Sequence, residues 1–326
     1  MVSFLKNRFL SILVFFFTVG TLSIVQLKID SPIIIAERFM TNGGWIEIVI
    51  VGIYGALIAS KMENHATATR WRVISWTLFS IFFFLQLLLG IIISEKFLMS
   101  GKLHLPVPAM ILIGPIYRGQ ISFMTLLFLC TVLFTGPAWC SHLCYFGAID
   151  NLIAKSANGQ KKIKNKHLIK NGSLLLIIGI TLILRIFKIN AVISTIAGII
   201  FGLTGILIMI IFSRKKGKMI HCTLYCPIGT LVNYLKKINP FRIYIGYNCS
   251  YCGSCISVCK YDALNLTDLK RKKPADTCTL CGDCINVCHI NSIYYKLFFL
   301  NPANSRKLYL FITVSFHAIF LAMAKI

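Results

Sequence analysis

Seven apolar runs constrain the fold of this chain most, because each is near the length that crosses a lipid bilayer. The runs cover residues 9–27, 45–60, 73–93, 121–137, 172–187, 191–213 and 308–324. Hydrophobic residues make up 57% of the 326-residue chain and the mean hydropathy is +0.77, which is too apolar for an ordinary soluble domain. The sequence therefore predicts a mainly α-helical membrane protein with seven spanning helices, six of them before a cysteine-rich segment.

The basic residues behind the net charge of +24 follow a membrane topology rather than a nucleic-acid patch. They cluster in alternate connections between the apolar runs, for example at Lys161, Lys162, Lys164, Lys166 and Lys170. This positive-inside pattern places the N-terminus and the cysteine-rich segment in the cytoplasm. We therefore expect a multi-pass protein of the inner (cytoplasmic) membrane that contacts anionic lipid and no nucleic acid.

Two cysteine runs with the same internal spacing follow the sixth apolar run. Their members are Cys249, Cys252, Cys255 and Cys259, then Cys278, Cys281, Cys284 and Cys288. The spacing C-x2-C-x2-C-x3-C is typical of ferredoxins with two [4Fe–4S] clusters, in which the fourth cysteine of each run ligates the other cluster. The predicted ligand sets are Cys249, Cys252, Cys255 and Cys288 for one cluster, and Cys278, Cys281, Cys284 and Cys259 for the other.

Structural zinc is the alternative interpretation, since paired C-x2-C motifs also bind zinc. One zinc ion needs four ligands and does not explain a duplicated run with its third and fourth cysteines in register. Gly253 and Gly282 follow the second cysteine of each run, where we expect the backbone to turn tightly. Lys260 and His289 stand where a proline usually follows the fourth cysteine.

Two C-x3-C pairs lie further upstream, each directly after a predicted membrane helix. Cys140 and Cys144 form the first pair, and Cys222 and Cys226 form the second. Because positions i and i+4 share a helix face, each pair could present two sulfurs together. We predict that the pairs form an additional site, either a Cu(I) or iron–sulfur centre or a redox-active thiol set, and four unlinked interfacial cysteines remain the alternative.

Other polar or reactive residues receive simpler interpretations. His142 and His221 beside the pairs are interpreted as interfacial residues, and Cys130 as a small buried hydrophobe. Prolines in the segment 103–118 predict a re-entrant or interfacial loop. That loop could line a quinone site with His104 or Arg118, although a plain surface loop is the simpler interpretation.

Together, the ferredoxin runs and the twin pairs resemble the membrane-bound polyferredoxins with twin C-x3-C-P motifs. The resemblance covers about residues 45–295 and includes Pro227 after the second pair. Tyr145 replaces the corresponding proline of the first pair. The short architecture is most similar to the quinol-dehydrogenase ferredoxin subunits of this group. The resemblance implies electron transfer between the quinone pool and a partner oxidoreductase.

The sequence predicts three domains. They are a six-helix membrane domain over 1–245, a small α+β ferredoxin module over 246–295 and a C-terminal membrane helix over 296–326. No nucleotide fingerprint, P-loop or nucleophile–base arrangement is present, so no catalytic residue is predicted and the chain is expected to act as an electron-transfer subunit. A copper-reducing or metalloenzyme-maturation accessory protein and a redox-sensing membrane regulator remain alternatives.

Overall fold

The computed structural model describes residues 8–29, 32–98, 105–157 and 159–323. Seven helices in this part are long and apolar enough to span a membrane: Phe9–Lys28, Gly43–Glu63, His65–Ile92, Met124–Leu143, Lys166–Ile186, Ala191–Lys216 and Pro302–Met323. The predicted fold class, mainly α with seven spanning helices, is confirmed. By length and composition the chain is a multi-pass membrane protein.

The chain divides into two compact units. The first unit contains Met1–His104 and Phe299–Ile326, and the second contains Leu105–Phe298. The last membrane helix therefore belongs with the N-terminal helices. In the first unit Gly55 allows close packing, since a Cβ there would lie 3.1 Å from the Cβ of Ala318. His317 is buried in the same unit, and its Nε2 lies 2.9 Å from the hydroxyl of Tyr54.

Helix ends extend beyond the apolar runs. The third membrane helix begins at His65 rather than at residue 73, and the fifth begins at Lys166 rather than at residue 172. Arg72 in the first of these extensions is 2% exposed, and its guanidinium lies 5.5 Å from the ring centroid of Trp76. Hydropathy alone misses such polar helical turns because side-chain partners offset the cost of their burial.

Shorter elements connect the membrane helices. In the first unit they are the α-helix Ile35–Phe39 and the 3₁₀ turn Glu95–Phe97. In the second unit the further α-helices are Met110–Arg118, Tyr145–Lys155, Pro227–Leu235, Ser254–Val258, Leu266–Lys270 and Asp283–Asn286. Two of the second unit's membrane spans contain irregular turns. The α-helix Phe123–Thr135 is followed by a 3₁₀ turn at Gly136–Ala138. The α-helix Ala191–Ile208 is followed by a π turn at Met209–Ser213 and then by a last α-helical turn at Arg214–Lys216.

The prediction of a loop over residues 103–118 is wrong for most of that segment. Met110–Arg118 is an α-helix although it contains Pro115, whose missing N–H leaves the carbonyl of Ile111 without its usual partner. The hydroxyl of Thr125 donates to that carbonyl at 2.9 Å and replaces the lost bond. His104 lies outside the described residues.

Two strands flank the cysteine runs in the sequence and pair as an antiparallel sheet in the second unit. Strand β1, Arg242–Ile245, precedes the first run, and strand β2, Ile293–Lys296, follows the second. The register pairs Arg242 with Lys296 and Ile245 with Ile293. The sheet joins the two ends of the cysteine-rich module, so the module closes on itself.

A buried carboxylate fixes this module to the rest of the second unit. One oxygen of Asp262 lies 3.6 Å from the Nζ of Lys218, and the other lies 3.6 Å from the Nζ of Lys166 at the start of a membrane helix. Lys218 also donates to the carbonyl of Cys259 at 2.6 Å. Because Lys218 and Asp262 are both buried, removal of one partner leaves an uncompensated charge.

We expect Asp262→Asn to destabilise the protein by about 3 kcal/mol, because two lysines lose their shared counterion. Thermal unfolding of the purified protein in detergent measures this change. Asp276→Asn removes an exposed carboxylate of the same module and is expected to change stability by less than about 0.5 kcal/mol. Equal melting temperatures for the two variants would contradict the anchoring role of Asp262.

Candidate metal centres

The twin cysteine pairs lie on π turns rather than on α-helices, which corrects the predicted shared helix face. Trp139–Leu143 and His221–Tyr225 are π-helical, and each is closed by a hydrogen bond from the second cysteine of its pair. The amide of Cys144 donates to the carbonyl of Trp139 at 3.0 Å, and that of Cys226 donates to His221 at 2.8 Å. Such π turns are rare and are frequent at functional sites.

Both second cysteines then interrupt the helical backbone in the same way. Cys144 and Cys226 have extended dihedrals, and each is the N-cap of a new helix, Tyr145–Lys155 or Pro227–Leu235. Pro227 is at the first helical position, as predicted. Tyr145 holds the equivalent position, so its replacement of proline leaves the local fold unchanged.

The two pairs converge on one buried site, here called the buried quartet: Cys140, Cys144, Cys222 and Cys226. Burial raises the pKa of Cys222 well above its ordinary value, and Asp150 and the other three cysteines of the quartet add to this effect. That mutual influence requires all four sulfurs to lie close together. The structure therefore supports one shared site rather than unlinked cysteines.

Backbone amides point at two sulfurs of the buried quartet. The Sγ of Cys144 accepts from the amides of Phe146 and Gly147, and burial nevertheless raises its pKa to about 12. The Sγ of Cys226 accepts from Ile228 and Gly229 in the same way, with a pKa raised by burial to about 11. Thiols in this environment keep their protons in the absence of a metal, whereas a coordinated thiol is deprotonated outright.

Buried polar atoms around the quartet have unused hydrogen-bonding capacity. Asp150 accepts from the amide of Cys222 at 3.0 Å through one oxygen, and burial raises its pKa to about 6. Its other oxygen and the hydroxyls of Thr223 and Thr279 have no hydrogen-bond partner in the described part of the chain. Because buried polar atoms normally have partners, the two hydroxyls could donate to a bound acceptor such as a sulfide of a cluster, whereas an ionised carboxylate oxygen can only accept.

The ferredoxin-type cysteines come together in two groups. Burial raises the pKa of Cys255, and the nearby thiols of Cys249, Cys252 and Cys288 raise it further. These four cysteines are called the outer set. Burial also raises the pKa of Cys284, with further contributions from Cys281, Cys278 and Cys259, which together form the inner set. Each set contains the cysteines that the spacing assigns to one cluster, and their ligand roles stay predictions.

The expected tight turns are confirmed at both runs. Gly253 has a φ of 81° and Gly282 a φ of 84°, a region that favours glycine. The fourth cysteines are also equivalent. The Sγ of Cys259 accepts from the amide of Ala263 at 3.3 Å, and that of Cys288 accepts from Ser292 at 3.2 Å.

The two sets differ in their surroundings. In the inner set Cys278 and Cys284 are buried, whereas Cys252 of the outer set is exposed. A Cβ added to Gly282 would lie 2.5 Å from the hydroxyl of Tyr295, whereas a Cβ on Gly253 would meet nothing within 4 Å. Cys255 of the outer set is also buried, so the inner set is the more enclosed of the two and the outer set is exposed at Cys252.

Hydrogen bonds join the buried quartet to the inner set. The hydroxyl of Ser141 donates to the carbonyl of Thr279 at 3.1 Å. The hydroxyl of Tyr261 donates to the carbonyl of Cys140 at 3.3 Å. Ser141 follows Cys140 in the chain and Thr279 follows Cys278, so the two sites are next to each other.

The neighbouring histidines contribute to packing. Burial lowers the pKa of His221 to about 3, so the ring is neutral, and it packs against the rings of Phe146 and Tyr225. Gly205 permits this packing, since a Cβ there would lie 2.7 Å from the His221 ring. The Nδ1 of His142 lies 3.0 Å from the hydroxyl of Ser141.

Two further predictions about single residues have different outcomes. Cys130 is exposed on its membrane helix, so the expectation of a buried hydrophobe is wrong. The guanidinium of Arg118 lies over Gly114, where a Cβ would be 3.1 Å from one Nη. The quinone role of Arg118 stays a prediction.

The donor spacing bears on the kind of group that fits. Within the described ranges, no three His, Cys, Asp or Glu side chains lie close enough to hold a single metal ion. A zinc ion requires sulfurs at about 2.3 Å from one centre. No preformed site for a single ion is therefore present among the described residues.

Sequence reasoning did not identify Asp150, Ser141 or Thr279. Ser141 and Thr279 are 138 positions apart, so their contact depends on tertiary folding alone. Asp150 lies six residues after Cys144 with no motif around it. A carboxylate on an otherwise apolar helix face was the only available signal.

Comparison with protein families gives one match. A sequence model described as a 4Fe-4S binding domain matches residues 120–166 and 195–244. The protein is a membrane-associated 4Fe–4S binding protein. Each matched segment contains all or most of a membrane helix and one C-x3-C pair with its π turn, so the match covers the whole buried quartet. Comparisons with curated proteins and with solved structures found no match.

The match supports the polyferredoxin-type resemblance at this level. It ends at residue 244, before the first ferredoxin-type cysteine at Cys249. The matched region is thus a [4Fe–4S] cluster-binding region, and the match does not fix the number of clusters.

We expect Gly282→Ala to remove more iron than Gly253→Ala. Both substitutions place a side chain at positive φ, which costs about 1–2 kcal/mol. Only Gly282→Ala also forces the buried hydroxyl of Tyr295 away from the carbonyl of Leu280, to which it donates at 2.8 Å. Iron and sulfide content after anaerobic purification measures the difference, and equal losses in the two variants would contradict the unequal enclosure.

Proposed function

We propose that this protein transfers electrons between the membrane quinone pool and a partner oxidoreductase through three iron–sulfur centres. The observation that carries the proposal is the direct contact of the buried quartet with the inner set through Ser141 and Thr279. When bound, [4Fe–4S] clusters supply one-electron transfer. The chain's own residues fix where each centre sits and how far it is shielded from water.

The inner and outer sets would each hold one cluster, in the arrangement that their spacing predicts. The buried quartet would hold a third, because four sulfurs from two separate segments meet there among amide donors. The family match over this part of the chain supports a [4Fe–4S] cluster at the quartet. Soft thiolates also suit Cu(I), and the family match over this part of the chain is what favours the cluster.

The order of the three sites supports a relay across the second unit. The buried quartet lies where two membrane helices end, and the inner set lies beside it. From Cys140 the path runs through the backbone to Ser141, across a 3.1 Å hydrogen bond to Thr279, and on to Cys278. The outer set, with its exposed Cys252, completes the path at the surface.

The surface beside Cys252 fits an acidic partner. Lys270, Arg271 and Lys273 are exposed residues of one cationic run of the chain. Lys272 of the same run contacts Tyr251, next to Cys252, at 3.1 Å. Cationic groups around an exposed electron-exit site steer a negatively charged partner into contact. Under the positive-inside rule this surface and the N-terminus face the cytoplasm.

The first test of the proposal is the iron content of the anaerobically purified protein. We expect about twelve irons per polypeptide for three clusters, and about eight in Cys144→Ser/Cys226→Ser. Cys130→Ser changes an exposed cysteine outside the three sites and is expected to keep the full content. About eight irons in both the wild type and the double variant would show that the buried quartet holds no cluster.

The second test asks whether quinol reduces the centres. EPR spectra of the wild type, recorded while menaquinol or ubiquinol is added, are expected to show cluster reduction. Cys144→Ser/Cys226→Ser should lose reduction by quinol and keep reduction of the inner and outer sets by dithionite. If neither quinol reduces a cluster and neither quinone oxidises one, the quinone link fails.

Copper measurements on the same preparations separate the alternative functions. Stoichiometric Cu(I) bound through the quartet, without quinol-dependent reduction, would favour a copper-handling accessory protein. A regulatory phenotype without quinol-dependent reduction would instead favour a redox sensor.

A further inference from the structure

An open pocket lies at one end of the sixth membrane helix, in the second unit. Its volume is about 970 Å³, and its walls come from the connection around Gln160 and from the end of the span Ala191–Lys216. None of the four cysteines of the buried quartet lines it. The pocket is therefore a separate feature from the candidate metal centres.

Both walls of the pocket contribute cationic residues. Lys161, Arg214 and Lys215 line the pocket, and no acidic residue does. Within the described ranges none of these three side chains forms an ion pair. Three positive charges that converge on one pocket without a counterion attract an anion.

The end of the span also gives the pocket an apolar part. Ile210 and Ile211 line it and are 49% and 37% exposed. They lie in the last turns of the membrane span, one helical turn before Arg214 and Lys215. Exposed apolar residues beside cationic residues are the arrangement expected at the boundary between acyl chains and headgroups.

The backbone holds these walls in fixed positions. The amide of Lys161 donates to the carbonyl of Lys216 at 2.9 Å, which ties the two walls together. Gly217 has a φ of 62°, and a Cβ there would lie 2.3 Å from the carbonyl oxygen of Gly159. The π turn Met209–Ser213 ends the regular helix at this point. The pocket is thus a built feature and not a gap between loose side chains.

We propose that this pocket binds the headgroup of an anionic phospholipid, with an acyl chain along Ile210 and Ile211. The cationic residues account for a phosphate group, and the apolar residues favour a lipid over free phosphate. The proposal rests on the membrane span and the pocket, and it stands whether or not electrons pass through the protein.

Native mass spectrometry of the detergent-solubilised holoprotein tests this proposal. The probes are phosphatidylglycerol, zwitterionic phosphatidylcholine of the same chain length, and inorganic phosphate as a competitor. The test variant is Lys161→Gln/Arg214→Gln/Lys215→Gln. The matched control, Lys155→Gln/Lys162→Gln/Lys164→Gln, removes three exposed charges nearby that do not line the pocket.

We expect the wild type and the control to retain phosphatidylglycerol in preference to phosphatidylcholine. The test variant should bind phosphatidylglycerol at least about tenfold more weakly, because each cation near a bilayer surface contributes to attraction of anionic lipid. Unchanged cluster absorbance in the variant shows that it is folded. Equal weakening in the control, no preference over phosphatidylcholine, or full displacement by millimolar phosphate would each overturn the proposal.

Discussion

The second unit depends on the burial of four thiols where two membrane helices end. A regular α-helix cannot deliver both cysteines of a pair to one point and then turn away, so a π turn precedes the second cysteine of each pair. The first π turn ends a membrane helix, whereas the second follows a membrane helix that ends at Lys216. The new helix that follows aims its free amides back at the same sulfur. One local device, used twice, supplies both the convergence of the sulfurs and the donors that stabilise them.

Carboxylates are scarce in this chain, with 10 Asp and Glu against 34 Lys and Arg. Two of them are buried at the junction between membrane helices and cysteine module. Asp150 accepts a hydrogen bond from the amide of Cys222, and Asp262 lies between Lys166 and Lys218. A strongly cationic chain therefore keeps its buried negative charge where the candidate centres need fixed positions, and its surface charge remains positive.

Local patterns predicted what local physics determines. Hydropathy identified seven spans because a bilayer selects for length and apolarity within one segment, and the glycines at 253 and 282 marked real left-handed turns. The helix around Pro115 was missed because its replacement donor, Thr125, lies outside the segment. The π turns and the Ser141–Thr279 contact were missed because tertiary packing, which no sequence period encodes, decides them.

The unequal exposure of the two cysteine runs also determines how the protein should fail in air. Oxidation of cysteine follows exposure and thiolate character. Every cluster ligand is a thiolate, so exposure decides the order: Cys252 is exposed, whereas Cys278 and Cys284 of the inner set are buried. Dioxygen should therefore attack the outer set first, while the enclosed inner set and the buried quartet survive longer. Exposure to air would therefore remove the outermost cluster first, so electron transfer to the partner would be lost before the centres next to the membrane are damaged.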